Sequence, residues 1–227
     1  MTETELTSTL HELADAKYRN FAASLIPGEN DLLGVRLPDL RKLAKKAADD
    51  NWQVLFSKLK TESTMELVML RGMLPGYAKN ATLNERLAAL TDFIPGIRNW
   101  SICDSCCATY RFAQEHRTEV LDFIRPYLIS TREFEARFGV VMLLNHYLPS
   151  VEFNTVITKL LPQVTCSAHY AQMGVAWCAC DFCLRNPESA KKLLRNLSPA
   201  QQLLTLRKLR ESKHSAARQI LISYSNS

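Results

Sequence analysis

Trp100-Ser101-Ile102-Cys103-Asp104-Ser105-Cys106 and Trp177-Cys178-Ala179-Cys180-Asp181-Phe182-Cys183 are two copies of one pattern, Trp-x-x-Cys-Asp-x-Cys. In each copy an indole precedes a carboxylate by four residues, and residues four apart on a helix share a face. Such a duplication points to a chain assembled from repeated helical units. The pairing of an aromatic plate with an acid suits a cationic ligand or a developing positive charge. It is equally compatible with two buried tryptophans kept by a structural repeat.

Working outward from these segments, helix starts recur along the whole chain. Pro38 with Asp39 opens one helix, Asn51 or Asp50 caps the next, and Ser63 with Glu66 reads as a capping box for a third. Further starts fall near Leu83, Arg98, Arg117, Arg132, Val151, Ser167, Pro187 and Ser198. The more strongly patterned helices begin near Ser63, Arg98, Arg132, Ser167 and Ser198. Their interval is roughly 31 to 35 residues, and each interval encloses a shorter amphipathic helix. With few strand-like stretches and only seven glycines, the sequence predicts an all-α solenoid of helical hairpins, read as one domain over residues 1–227.

In such a stack the second helix of each pair lines the concave face. The inner helices are expected near 98–115, 132–148 and 167–185, which puts Trp100, Arg137 and Trp177 at near-equivalent places, expected to meet across one groove. Projected on a helix, Trp100, Asp104, Cys107 and Arg111 form one stripe. A second stripe, Tyr170, Met173, Trp177, Asp181 and Leu184, reads as the more core-like of the two.

Arg137 is the most anomalous charge. It falls inside the apolar arc of Phe134, Phe138, Val141, Leu144 and Leu148, where an unpaired guanidinium is costly. Two partners satisfy it on paper: an internal carboxylate, Asp104 or Glu135, or a phosphate bound at the floor of the groove.

Composition narrows the classes. A chain of 227 residues that is 47% hydrophobic has enough apolar surface for a full core. No apolar run approaches the roughly 18 residues that span a bilayer, and Met1 to Leu10 lacks the basic and apolar regions of a signal peptide. The seven cysteines are an odd number, which favours reduced thiols over a disulfide framework and places the protein in the cytoplasm. Cys103 with Cys106 and Cys180 with Cys183 have the C-x-x-C spacing of zinc ligands. Both pairs fall mid-helix without the Gly-bearing turns of a zinc knuckle, so packing cysteines are expected and no metal or other cofactor.

The formal charge of +5 is unevenly spread. Arg185, Lys191, Lys192, Arg195, Arg207, Lys208, Arg210, Lys213 and Arg218 face only Glu188 and Glu211 in the last part of the chain. A basic end of this kind suits a polyanion such as nucleic acid, or forms a solvated basic face.

Four segments carry a resemblance: Leu33-Gly34-Val35-Arg36-Leu37-Pro38-Asp39-Leu40-Arg41, Asn99 through Asp104, Phe134 through Leu144, and Met173-Gly174-Val175-Ala176-Trp177. In order and spacing the chain resembles the bacterial DNA alkylation repair family of AlkD-like alkylpurine DNA glycosylases. The resemblance implies a HEAT-like repeat fold with a partly basic concave groove. It also implies a monofunctional glycosylase that releases cationic alkylpurines, 3-methyladenine and 7-methylguanine, from double-stranded DNA without a cofactor. Carried over, Asp104 is the catalytic carboxylate, Trp100 and Trp177 are the aromatic walls beside the lesion, and Arg137 and Arg36 contact DNA. Asp181 has no catalytic counterpart. A monomer with no membrane association is expected. The alternative is a non-catalytic, DNA-binding or DNA-structure-recognising repeat of the same family, and a protein-binding solenoid is the third reading.

Overall fold

A computed structural model describes residues 2–48 and 51–225, and the described residues form α-helices joined by short 3-10 turns, with no strand among them. The all-α, helical-repeat fold expected from the sequence is the one the chain adopts. The helices fall into two compact units, Met1–Glu115 and His116–Ser227. No helix among the described residues is long and apolar enough to cross a membrane.

The first unit contains α1 (Glu3–Leu13), α2 (Ala16–Leu25), α3 (Leu37–Ala47), α4 (Trp52–Lys58), α5 (Met65–Tyr77), α6 (Leu83–Phe93) and α7 (Trp100–Cys107). Its centre is α5. From Met65 to Pro75 this helix is apolar around most of its circumference, so it has no polar stripe to leave in water. Every one of those residues is buried, and α3, α4, α6 and α7 pack around them.

Two charges lie on this buried helix, and each is held. The Glu66 carboxylate, 1% exposed, accepts main-chain N–H groups from Leu33 (3.0 Å), Gly34 (2.8 Å) and Val35 (3.1 Å). Arg71 donates Nε to the Phe56 carbonyl at 3.0 Å and pairs with Asp92. The chain wraps around Glu66 only because Gly34 takes φ +88°, a left-handed conformation that favours glycine. A Cβ there would also stand 2.5 Å from the Asp15 carbonyl oxygen.

Glu66 therefore does not close the expected capping box. The helix begins at Met65, and Ser63 donates its hydroxyl to Asp31 (2.6 Å) instead. A buried carboxylate that satisfies three main-chain N–H groups at long range outweighs a solvent-side box worth about 1 kcal/mol. The cap proposed before α4 is likewise absent: Asn51 is left-handed (φ +46°) with no side-chain cap bond, and Asp50 lies outside the described residues. True capping boxes form at Thr82 with Glu85 and at Ser198 with Gln201.

The second unit contains α8 (Arg117–Leu128), α9 (Glu133–Met142), α10 (Asn154–Leu160), α11 (His169–Arg185), α12 (Pro187–Asn196), α13 (Pro199–Glu211) and α14 (Ser215–Ser225). The packing centre here is α11, flanked by α9 and α13. A π-helical turn, Leu143–Tyr147, prolongs α9, and its Tyr147 hydroxyl donates to the Arg117 carbonyl at 2.9 Å.

The repeat is visible in the hydrogen bonds. Cys106 donates to the Met69 carbonyl 37 residues away, Tyr110 to Gly72 38 away, Cys166 to Thr131 35 away, and Gln201 to Val164 37 away. Each bond joins a side chain of one hairpin to the main chain of the hairpin before it.

Because the buried Glu66 carboxylate satisfies three main-chain donors, two of them buried, Glu66→Ala is expected to lower the unfolding free energy by about 3 to 5 kcal/mol. Glu66→Gln keeps one accepting oxygen and should cost clearly less, about 1 to 2 kcal/mol. Urea denaturation followed by circular dichroism measures both, and equal losses would show that the N–H cradle does not depend on the carboxylate.

Candidate functional site

The start of α7 is fixed by polar side chains that the sequence places just before it. Asn99 caps the helix by accepting the Ile102 N–H (2.9 Å) and donates its amide to Glu29 (2.7 Å). Arg98 reaches the same carboxylate at 3.0 Å and 3.3 Å. Glu29 is itself buried, so α7 is tied to the chain just after α2 by a desolvated, multiply bonded carboxylate. Trp100 adds a further tie: its indole N–H donates to the Leu25 carbonyl at 3.2 Å.

Ile102, Cys103, Ser105, Cys106 and Cys107 turn inward from α7. Trp100, Ser101 and Asp104 are half-buried on the other side, so the indole and the carboxylate share one face as expected. The stripe does not run on as read. Cys107 is fully buried, the helix ends there, and Arg111 lies in a following 3-10 turn, because Tyr110 is drawn into the core to donate its hydroxyl to the Gly72 carbonyl at 2.8 Å.

Beside Trp100 lies a cavity of about 200 Å³ lined by Tyr18, Met65, Met69, Ser101 and Ser105 among others. Arg36 lies against one of these lining residues, Tyr18. It precedes the first turn of α3, pairs with Asp15 at 3.3 Å, and lays its guanidinium 4.7 Å from the Tyr18 ring centre. The Tyr18 N–H, and then Arg36, hold the Asp15 carboxyl below its ordinary range. Arg36, Tyr18, Trp100 and Asp104 thus belong to one region of the first unit.

In the second unit the face of α11 read as core-like is the outward one. Trp177 is 41% exposed, Tyr170, Met173, Asp181 and Leu184 are half-buried, and Asp181 pairs with Arg185 at 2.9 Å. The buried face is made instead of the small residues Ala171, Gly174, Val175, Cys178 and Ala179, with Phe182 and Cys183. Small residues let α9 and α13 approach, and the large ones are left to face out.

Arg137 on α9 is 6% exposed and donates Nη1 to the Tyr170 carbonyl at 2.7 Å. Its side chain lies over Gly174, 3.6 Å from where a Cβ would stand. Glu133 accepts the Tyr170 N–H at 2.6 Å, and Phe134 stacks on the Tyr170 ring. Glu135, one of the two carboxylates considered as a partner, is engaged by Arg132 (2.6 Å) and Ser130 (2.7 Å). Arg137 and Trp177 thus sit on neighbouring helices, α9 and α11.

All seven cysteines are buried. Burial pushes the Cys106 and Cys107 thiols well above their ordinary range, with Cys103 adding to both. Cys183 is pushed up to about 12 by burial, then by Cys180. Among the described residues no group of three or more His, Cys, Asp or Glu side chains is placed to hold a metal ion.

One feature escaped the sequence reading. Arg41, Lys42 and Lys45 of α3 gather with Arg111 around a cavity of about 610 Å³ next to Tyr77. Their spacing along α3 was a usable signal, since residues three and four apart share a face. Burial pushes the Tyr77 hydroxyl up, while Arg41 and Arg111 pull it back.

The chain matches the family described as DNA alkylation repair enzyme over residues 6–218. No curated protein and no solved structure matches it.

Thiols this deep should be poor nucleophiles, because the thiolate is the reactive form and burial disfavours it. A disulfide reagent added to the native protein at pH 8 is expected to label the seven thiols slowly, and all of them promptly in urea. Rapid native labelling of Cys106 or Cys107 would contradict the packing described here.

Proposed function

The chain belongs to the DNA alkylation repair enzyme family, and from that premise we propose that it is a monofunctional glycosylase releasing cationic alkylpurines, such as 3-methyladenine and 7-methylguanine, from double-stranded DNA. The observation that carries this reading is the shared face of α7, where Trp100 and Asp104 stand one turn apart, both half-buried, with the indole anchored by its own N–H. With that N–H given to Leu25, what the ring offers a ligand is its π-face. A π-face attracts a cation.

The chemistry asks little more of the protein. Alkylation at N3 or N7 makes the purine cationic, so when the N-glycosidic bond breaks the electron pair leaves with a base that becomes neutral. The sugar is left as an oxocarbenium ion. Asp104 offsets that charge and orients the water that adds to C1′, accepting its proton, a role like that of carboxylates in glycoside hydrolysis. Trp100 and Trp177 supply the aromatic surfaces for the cationic base, and Arg137 and Arg36 contact the DNA. No Schiff base is required and so no lysine nucleophile. In this reading the protein acts as a cytoplasmic monomer without a cofactor.

Purified protein incubated with DNA carrying 7-methylguanine or 3-methyladenine is expected to release free base. Asp104→Asn should lower that rate by about 10²- to 10³-fold with the fold intact, because Asn keeps the shape and loses the charge. Trp100→Ala and Trp177→Ala should each cost less, about 0.5 to 2 kcal/mol. Uracil, a neutral base, should not be released. Release by Asp104→Asn at the wild-type rate would remove the proposed role of the carboxylate. A wild type that binds DNA but releases neither base would leave the non-catalytic DNA binder.

A further inference from the structure

The outward face of α7 leads from Trp100 through Asp104 to Ala108, and Ala108 borders the basic cavity. At 1.5 Å per residue, Asp104 and Ala108 are roughly 6 Å apart along the helix. The cavity therefore begins about one turn from the proposed catalytic carboxylate, within the same unit.

Four cations meet there. Arg41, Lys42 and Lys45 come from α3, and Arg111 from the turn after α7, with Tyr77 between them. Among the described residues no carboxylate lines the cavity. Asp39 holds Lys42 at 3.0 Å from outside it, and Lys45 lies over the Tyr77 ring at 5.5 Å. Neither Arg41 nor Arg111 has an ion-pair partner among the described residues.

A purely structural account would have these cations neutralise the carbonyl ends of α5 and α7. Several of these carbonyls are already taken. Arg86 bonds the Pro75 and Ala78 carbonyls at the end of α5. At the end of α7, Thr109 donates N–H and hydroxyl to the Cys106 carbonyl, and Tyr110 donates its N–H to Cys107. Asp39 and the two helix termini together supply only about two units of negative charge, which leaves about half of the positive charge unmatched. The cations left over line one cavity and repel one another across it, so the arrangement favours an anionic ligand.

We propose that this cavity seats the backbone phosphates flanking the alkylated nucleotide, with Arg41, Lys45 and Arg111 as phosphate ligands and Tyr77 as a hydroxyl donor. The proposal rests on the glycosylase reading, because it takes the reacting sugar to lie at Asp104. Phosphate contacts of this kind fix the register of a protein on a duplex and carry no sequence preference. Anchoring the strand one turn from Asp104 would set C1′ against the carboxylate whichever base is damaged.

The test is a fluorescence-anisotropy titration of a 7-methylguanine duplex across sodium chloride, with the full-length protein. Lys45→Ala combined with Arg111→Ala is expected to reduce the slope of log affinity against log salt by about 2, near 0.9 per phosphate contact. Lys46→Ala combined with Lys58→Ala removes the same charge from exposed positions outside the cavity, and should change the slope by less than about half a unit. Circular dichroism checks the fold of each variant, and Lys45→Arg with Arg111→Lys should restore the slope. Equal losses in both pairs, or none in the cavity pair, would overturn the proposal while leaving DNA binding in place. Titration with inorganic phosphate alone covers the other source of this chemistry: micromolar binding that the cavity pair abolishes, with an unchanged DNA slope, would make this a free-phosphate site and end the proposal. A wild type without affinity for DNA would take down the glycosylase reading itself.

Discussion

A helix buried on every side can carry a charge only if the surrounding chain is shaped to receive it. In α5 that constraint decides the architecture of the first unit. Glu66 pulls residues 33–35 around its carboxylate, which turns the chain out of the α2 region and into the first turn of α3. Arg71 draws in the Phe56 carbonyl and Asp92, which pins the end of α4 and the outer part of α6. A buried ion with one partner removed costs several kcal/mol, so neither contact can be left unmade. Gly72 completes the arrangement from the opposite direction. A Cβ there would stand 2.3 Å from the Phe93 ring and 2.6 Å from the Cys106 sulfur, and its absence lets α7 settle directly against α5. The face bearing Trp100 and Asp104 is aimed outward as a result.

Legibility followed range. Features that act within a turn were readable: the opening of α3 at Pro38, the helix start near Ser198, and the shared face of Trp100 and Asp104 depend on residues close together in the chain. Features that act across repeats were not. Ser63 and Glu66 match a capping box letter for letter, yet Glu66 is claimed by N–H groups 31 to 33 residues away. Nor could periodicity say which face of α11 is buried. Charge is confined to Asp181 and Arg185 near the end of the helix, and the choice falls to size: the small face admits α9 and α13, so Trp177 is turned outward. The basic cavity was missed because its lining is gathered from α3, the end of α5 and the segment after α7, far apart in the chain.

The cysteines show how one residue type serves a packed repeat. Their thiols are small enough for close helix contact and can still donate weakly, as Cys106 and Cys166 do to main-chain carbonyls. The Trp-x-x-Cys-Asp-x-Cys pattern therefore has two layers. Its cysteines belong to the core. Its tryptophan and aspartate belong to the face turned away from the core, and in each copy the two layers are held in phase by the helix itself.

Many of the bonds that join one hairpin to the next end on a main-chain carbonyl. Every residue type supplies that acceptor, so the side chains around it are free to diverge without loosening the joint. What cannot vary is the count of residues between donor and acceptor, since one insertion would rotate the donor away from its target. A lineage built this way tolerates substitution far better than single-residue insertion or deletion, and it grows or shrinks by whole hairpins. Ancient duplicated units of this kind become unrecognisable as copies by their letters while keeping the same stride.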